Sequence, residues 1–513
     1  MTPSRERSFG ANAVLSAFGW AVPAVAALVA IPITVRGLGA DQYGLLALTA
    51  AITGYLGLME MGLGSAIVRY LSYYRALDQG RPMRAIIWFA IRWFGSAGII
   101  GGVFLWVAAP WLSSSVLNVP PDLLSTSITV MRISGASFLV ALLVSVGTAI
   151  PQSFLRYDIA AVMSGFIGTV SVVGPAVIVT LGYELVPVVW FSLGLNLVAL
   201  VLYGIIGYRL MRPIPVSDGP PWQEIRRKTL SFAGLIALNT VSYTVAKQTN
   251  RLVVGIAAGV GAAAYYQVPY TLASRVNDMI SRVAQVLFPT ASALFATGDT
   301  QGVRQLYLRT SRLFFVLNFS ITMGLCVMSY PLLRYWVSET YAQQGAVALA
   351  IFSLANSLNA TTMAASYVNM SAARPGINVV FSNSESAIML LASYPLTVRF
   401  GINGAALAWL IATLAVPFFL HYGNRRVLQL SSRLVWRRCY QPTVVGTGLT
   451  GVAAYFLIRP VCHSLVTTLV GGFVTVLASI ILSGLLGGVS REDVGTARRL
   501  LASLWRPVRA LIR

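Results

Sequence analysis

The sequence predicts an all-α polytopic membrane protein with about fourteen transmembrane helices, and three observations carry that prediction. Only 10% of the 513 residues are charged, where soluble domains carry about 25%. Apolar runs of about 20 residues, each long enough to cross ~30 Å of hydrocarbon, recur along nearly the whole chain. Basic residues gather in alternate connections between those runs, the asymmetry of cytoplasmic loops.

In order, the predicted spans lie near 11–35, 44–74, 85–109, 126–150, 159–181, 186–208 and 230–254. They continue near 263–291, 310–333, 345–369, 377–398, 404–422, 442–459 and 465–488. The first run exceeds a signal-peptide core and lacks a small-residue cleavage site, so it reads as a retained helix. An even number of spans puts both termini on one side. Twenty-six Lys and Arg fall on that side, from Arg5 and Arg7 to the six between Arg491 and Arg513, whereas four (Arg36, Arg334, Arg399, Arg459) fall opposite. That bias predicts cytoplasmic termini. It also makes the net charge of +22 a topology signal, so no nucleic-acid partner is expected.

The domain organisation follows. Residues 1–208 hold the first six spans, and 209–229, with its Pro-rich RPIPVSDGPP stretch, read as a cytoplasmic linker. Residues 230–422 hold six more. A basic loop, 423–441, precedes a last helix pair at 442–488, and 489–513 reads as a basic amphipathic helix on the inner leaflet.

Catalytic and metal signatures are missing. Cys326, Cys439 and Cys462 are scattered without paired spacing. His421 and His463 lie on different spans, with no ligand spacing for a metal. Gly37-x-Gly39 and Gly62-x-Gly64 sit in or beside apolar helices and read as packing glycines. No phosphate-binding loop of an ATP motor is present, so transport energy would come from a gradient.

The charges placed inside apolar runs are the functional candidates, because such groups are costly and usually face a cavity or a partner. Seven are basic (Arg69, Arg92, Arg132, Lys247, Arg251, Arg275, Arg282) and three acidic (Glu60, Asp278, Glu385). On the eighth span Thr271, Arg275, Asp278, Arg282 and Gln285 share one helix face. That stripe reads either as an internal ion cluster or as a surplus positive charge for an anion, which guanidinium forks suit well. The seventh span adds Tyr243, Lys247, Asn250 and Arg251 on one arc. Lys247 fits a counter-ion role for Glu60 or Glu385 as well as a ligand contact, and Arg251 stands near enough to a helix end to snorkel. Arg92 and Arg132 are expected to snorkel too. Asn356, Asn359, Asn378 and Ser382 read as interhelical hydrogen-bonding groups, while Glu60 and Glu385 are candidates for proton or ion coupling. A short repeat offset by 222 residues aligns Gly37-x-Gly39-Ala40-x-x-Tyr43 with Gly259-x-Gly261-Ala262-x-x-Tyr265, which sets Glu60 against Arg282.

The segment Arg36-Gly-Leu-Gly-x-x-x-Tyr43-Gly44, followed by Gly62-Leu-Gly-Ser65, resembles the start of Wzx-type polysaccharide and oligosaccharide flippases of the multidrug/oligosaccharidyl-lipid/polysaccharide (MOP) superfamily. The resemblance implies two pseudo-symmetric six-helix lobes in a V shape, plus the C-terminal helix pair, in the inner membrane. It implies alternating access through a cationic cavity and, as substrate, an oligosaccharide linked through pyrophosphate to undecaprenol. Arg275, Arg282, Lys247, Arg251, Tyr243 and Asn250 are then the expected substrate contacts, with Glu60, Asp278 and Glu385 as coupling or ion-pair residues. No cofactor is expected beyond a coupling ion, H+ or Na+. Membrane lipids and other polysaccharide-assembly membrane proteins are the further partners. A lipid II flippase is the nearest rival reading. A MATE-type multidrug antiporter would want an acidic cavity, and a glycan polymerase or ligase would want large outer loops.

Overall fold

The computed structural model describes residues 9–488 apart from 61, 218, 285, 286 and 373. Among them every regular element is helical. The chain divides into two compact units, and the division falls inside a helix. One unit runs up to Gln248 and includes Gly259–Gly261; the other takes Thr249–Ala258 and the described chain from Ala262 onward.

The first unit contains α1 (Phe9–Leu56), α2 (Leu63–Ala76), α3 (Gly80–Trp111), α4 (Pro121–Ser153), α5 (Tyr157–Thr180) and α6 (Leu185–Met211), and most of α7 (Trp222–Ala258). α1 packs along α5, α3 along α4, and α4 along α6. Small residues allow the close crossings. Gly102 of α3 and Gly135 of α4 face each other so closely that a Cβ on either would come within about 3.0 Å of the other's carbonyl oxygen. The core is a stripe of α2, Leu63, Ile67, Leu71 and Tyr74, set against Met83, Ile86, Ala90 and Phe94 of α3 and Phe138 of α4. Its spacing is that of one helix face. The connection after α6 folds back on the α2–α3 turn: Ser217 donates to the Asp78 carbonyl, and Arg84 reaches the Ile214 carbonyl at 3.5 Å.

The second unit contains the end of α7, α8 (Val260–Ala284), α9 (Leu287–Ala296), α10 (Thr300–Val327), α11 (Ser329–Trp336) and α12 (Glu339–Ala360). It continues through α13 (Thr362–Ser371), α14 (Gly376–Ala412), α15 (Val416–Arg426), α16 (Ser432–Val435), α17 (Gln441–Leu457) and α18 (Leu465–Ser483). Side-chain caps start several of them. Asp299 accepts the Gly302 N–H at 2.8 Å, and Ser464 and Thr467 form a reciprocal capping box. The core joins Tyr307 and Phe315 of α10 to Val368 of α13, Phe419 of α15 and Tyr440 before α17.

Ten stretches among the described residues are long and apolar enough to cross a membrane. α7 and α8, expected as spans seven and eight, are not among them. The sequence also placed a loop near 36–43. The structure has helix on both sides of a single left-handed residue, Gly39 (φ 73°), and likewise at Gly401 (φ 58°). Gly401 turns the chain back sharply enough that Gly404 abuts the Leu396 carbonyl. A residue with no Cβ is what such a conformation favours.

The repeat register changes too. Positive φ falls at Gly39 in the first copy but at Gly259, not Gly261, in the second. Matching the turns, 259 − 39, therefore shifts the offset to 220 and sets Glu60 against Ile280, not Arg282. The tail at 489–513 lies outside the described residues.

Candidate functional site

Glu60 was expected midway along a continuous span. It stands instead at a helix break. α1 ends at Leu56, a tight 3-10 turn runs from Gly57 to Glu60, and Gly62 (φ 68°) precedes α2. A break in hydrocarbon strands backbone groups that water cannot satisfy, and two side chains meet that need. The Glu60 carboxylate accepts the Gly64 N–H, and the Trp93 indole N–H donates to the Met59 carbonyl at 3.3 Å. Gly64 leaves room for the carboxylate where a Cβ would collide with it. In the same unit the Tyr55 hydroxyl donates to the Val245 carbonyl at 3.3 Å, and the lack of a Cβ at Gly54 admits the Gln248 side chain. Lys247 is half-buried between them on α7.

In the second unit Asn250 is fully buried, and its amide is taken up by helix joints. Its Nδ2 donates to the Ala405 carbonyl at 3.1 Å and to the Tyr266 hydroxyl at 3.3 Å, while its Oδ1 accepts from Ser393 Oγ at 2.6 Å. These bonds tie α7, α8 and α14 together. The expected substrate contact thus joins three helices in this conformation, with both amide hydrogens donated and the amide oxygen accepting one bond. Tyr266 is held in turn by a ring stack on Tyr270 and an edge contact with Phe352.

Arg251 does not snorkel. Only 8% of it is exposed, and its Nε meets no hydrogen-bond acceptor among the described residues. Burying a guanidinium in this way is costly unless an anion approaches it in some state of the protein. Arg132 lies over the Trp106 ring, 4.7 Å from its centroid. That contact is a cation–π arrangement between α4 and α3.

On α8, Arg275 and Asp278 of the expected stripe meet. Arg275 Nη1 lies 3.8 Å from Asp278 Oδ2, one helical turn away, and the two side chains are 44% and 51% exposed. Such a loose, open pair leaves the arginine able to exchange partners. The side chains of Tyr243 and Arg282, and residue Gln285, lie outside the described residues. Glu385 of α14 accepts from Asn359 Nδ2 of α12 at 2.6 Å. Glu385 lies inside a continuous stretch of α14, and Thr361, between α12 and α13, keeps a helical backbone (φ −65°, ψ −22°). Asn369, Asn378 and Ser366 extend the polar layer through bonds of 3.0 Å. Among the described residues no group of His, Cys, Asp and Glu could hold a metal.

Sequence reasoning missed Trp93, Ser393 and Tyr266. Nothing in the local pattern of an apolar helix marks which indole or hydroxyl will serve a neighbour's backbone.

A carboxylate at a helix interruption, with arginines within long helices, fits a membrane transporter, where substrate and ion sites form at discontinuous helices. Solved structures agree on the fold. The chain is similar to a multidrug resistance MATE family transporter of the MOP superfamily in its inward-facing conformation, with a TM-score of 0.70 and 16% identity over 81% of this chain and 99% of that one. It is similar to the lipid II flippase MurJ in an inward closed conformation, with a TM-score of 0.68 and 12% identity over 92% of this chain and 98% of that one. The protein is a multi-pass membrane protein with the fold of MOP superfamily transporters. A Shigella flexneri protein named "Putative O-antigen transporter" is 19% identical over 413 residues, which cover 80% of this chain and 96% of that one. The chain belongs to the polysaccharide biosynthesis protein family, whose pattern it matches over residues 33–345.

Proposed function

We propose that the protein is a flippase that carries polyprenyl-pyrophosphate-linked oligosaccharide across the cytoplasmic membrane for surface polysaccharide assembly. Its termini are cytoplasmic in this reading, and an ion gradient drives it. The observation that carries the reading is the combination of this family and fold with arginines held inside the spans. A pyrophosphate moving through low dielectric needs countercharge. Arg251 is buried without an acceptor at Nε among the described residues, and Arg275 is loosely paired; both can take phosphate oxygens as bidentate donors. Arg132, packed on Trp106, no longer counts toward that supply. The six remaining bases, Arg69, Arg92, Lys247, Arg251, Arg275 and Arg282, still outnumber Glu60, Asp278 and Glu385.

Glu60, at the α1–α2 break, and Glu385, bonded to Asn359 of α12, are the coupling candidates. A cation or proton at Glu385 competes with the Asn359 donor for the same oxygen, so ion binding and helix packing are linked there. The test is genetic and chemical. Deleting the gene should accumulate a lipid-linked oligosaccharide on the cytoplasmic leaflet, and wild type should clear it. Arg275→Ala should fail to clear it while reaching the membrane in normal amount, with partial recovery by Lys. Accumulation of the peptidoglycan precursor in its place would overturn the reading, and full export by Arg275→Ala would remove that arginine from it.

A further inference from the structure

A second basic site, in the first unit, is built around Arg69, apart from the arginines of α7 and α8. The C-terminal half of α2 and the start of α7, both in the first unit, enclose a cleft of about 680 Å³ lined by Arg69, Tyr70, Ser72, Tyr73, Tyr74 and Lys228. Ligand pockets of about 300–1,000 Å³ are typical for small organic molecules. This lining holds two cations, three phenol rings and no aliphatic side chain.

The helix register builds it. Arg69 and Tyr73 are one turn apart on α2, as are Tyr70 and Tyr74. Tyr74 is only 2% exposed and forms the floor, whereas Tyr73 is 58% exposed and forms the lip. The Tyr70 hydroxyl donates to the Lys228 carbonyl at 3.1 Å, which pins α7 across the cleft. The Arg69 guanidinium stands 5.7 Å from the Tyr70 ring centroid. Arg75 and Ser72 bond the Ser153 carbonyl behind them, so the α2 wall is anchored to α4. Lys228 is bonded to Glu224 at 2.6 Å, and Arg226 and Arg227 are exposed beside them. Glu224 is the acid that borders the cleft, and an oxyanion entering there would compete with it for the ammonium group.

Cations beside aromatic faces and hydroxyl donors suit a phosphate ester that carries a sugar ring: guanidinium and ammonium take the phosphate oxygens, and the ring lies against tyrosine. We propose that this cleft is a loading site for the pyrophosphate ester of the glycan carrier, engaged before the substrate reaches the spans. The proposal rests on the flippase reading above and names where its substrate first binds. The recognised chemistry is a pyrophosphate ester, and it can arrive from a lipid or from a soluble sugar nucleotide.

The test uses the full chain in lipid nanodiscs, with farnesyl pyrophosphate as the membrane-borne probe and uridine diphosphate glucose as the soluble one. The double variant Arg69→Ala with Tyr73→Ala changes exposed side chains and should keep its thermal midpoint. It should lose one class of farnesyl pyrophosphate site, or weaken it about tenfold. Glu224→Gln should tighten the same class by freeing Lys228, an effect no purely structural role for Glu224 produces. Tighter binding of farnesyl pyrophosphate than of the nucleotide sugar supports the loading site, and the reverse order overturns its assignment to the glycan carrier. Unchanged binding of both probes in the double variant overturns the loading site and leaves the flippase reading to its own genetic test. Loss of cleft binding in the double variant, in a protein whose Arg275→Ala variant exports normally, supports the site and overturns only the role given to Arg275.

Discussion

Replacing Asn250 by alanine separates a lock from a ligand contact. The side chain makes three hydrogen bonds within a fully buried junction of α7, α8 and α14. Each is worth about 1 kcal/mol net in proteins generally, and bonds between membrane helices average about 0.6 kcal/mol. The partners have partial alternatives: the Ala405 carbonyl lies in a helix, and Ser393 can turn its hydroxyl toward its own helix backbone. Removing the amide should therefore cost about 2–3 kcal/mol, including the small cavity it leaves. For a folding unit of this size that lowers the melting midpoint by on the order of 5 °C. The assay is thermal unfolding of the purified protein in detergent, with export measured in parallel. Because α7, α8 and α14 share this one joint, the double variant with Ser393→Ala should lose less than the two single losses combined. An unchanged midpoint with abolished export would refute the argument and return Asn250 to the substrate contacts.

Three further outcomes follow from the same geometry. Trp93→Phe strands the Met59 carbonyl at the α1 break and should cost about 1–2 kcal/mol, read as a lower unfolding midpoint with unchanged helix content. Gly404→Ala drives a Cβ into the Leu396 carbonyl at the Gly401 turn; the strain, about 1–3 kcal/mol or more, should cut the amount of folded protein recovered from membranes. The exposed Glu224–Lys228 pair gives a small pH dependence: the hydrogen bond from Lys228 lowers the Glu224 pKa below the ordinary carboxylate value. Its contribution is therefore complete above that ordinary value and fades as pH falls through the lowered one. The midpoint difference between wild type and Glu224→Gln should hold steady near neutrality and shrink below about pH 4.

Most of the helical architecture was legible, because span length and the cost of charge in hydrocarbon leave few other solutions. The Arg275–Asp278 pair was legible for a related reason: the two are one turn apart, and a helix leaves such groups little choice but to meet. The helix breaks were hidden. A run such as Gly57-Leu-Met-Glu60 reads as apolar span, since windowed hydropathy registers transfer cost and not backbone geometry. The loop expected at 36–43 failed in the opposite way, because Gly39 alone suffices where a polar connection was anticipated. Asn250 was ambiguous by nature. A carboxamide binds sugar and joins helices with the same atoms, and only the positions of Ser393, Tyr266 and Ala405 decide between the two.

The interruption between α1 and α2 also bears on how such chains diverge. Trp93 and Glu60 lie on different elements, yet each answers a backbone group exposed by the same gap. Neither position can drift alone without leaving a polar atom stranded in lipid. Relatives should therefore keep both, exchange both for another donor and acceptor, or close the gap into continuous helix by losing Gly62 as well. The joint pattern at these three sites would sort members of the family by the geometry of their second helix, even where overall identity is too low to align the rest.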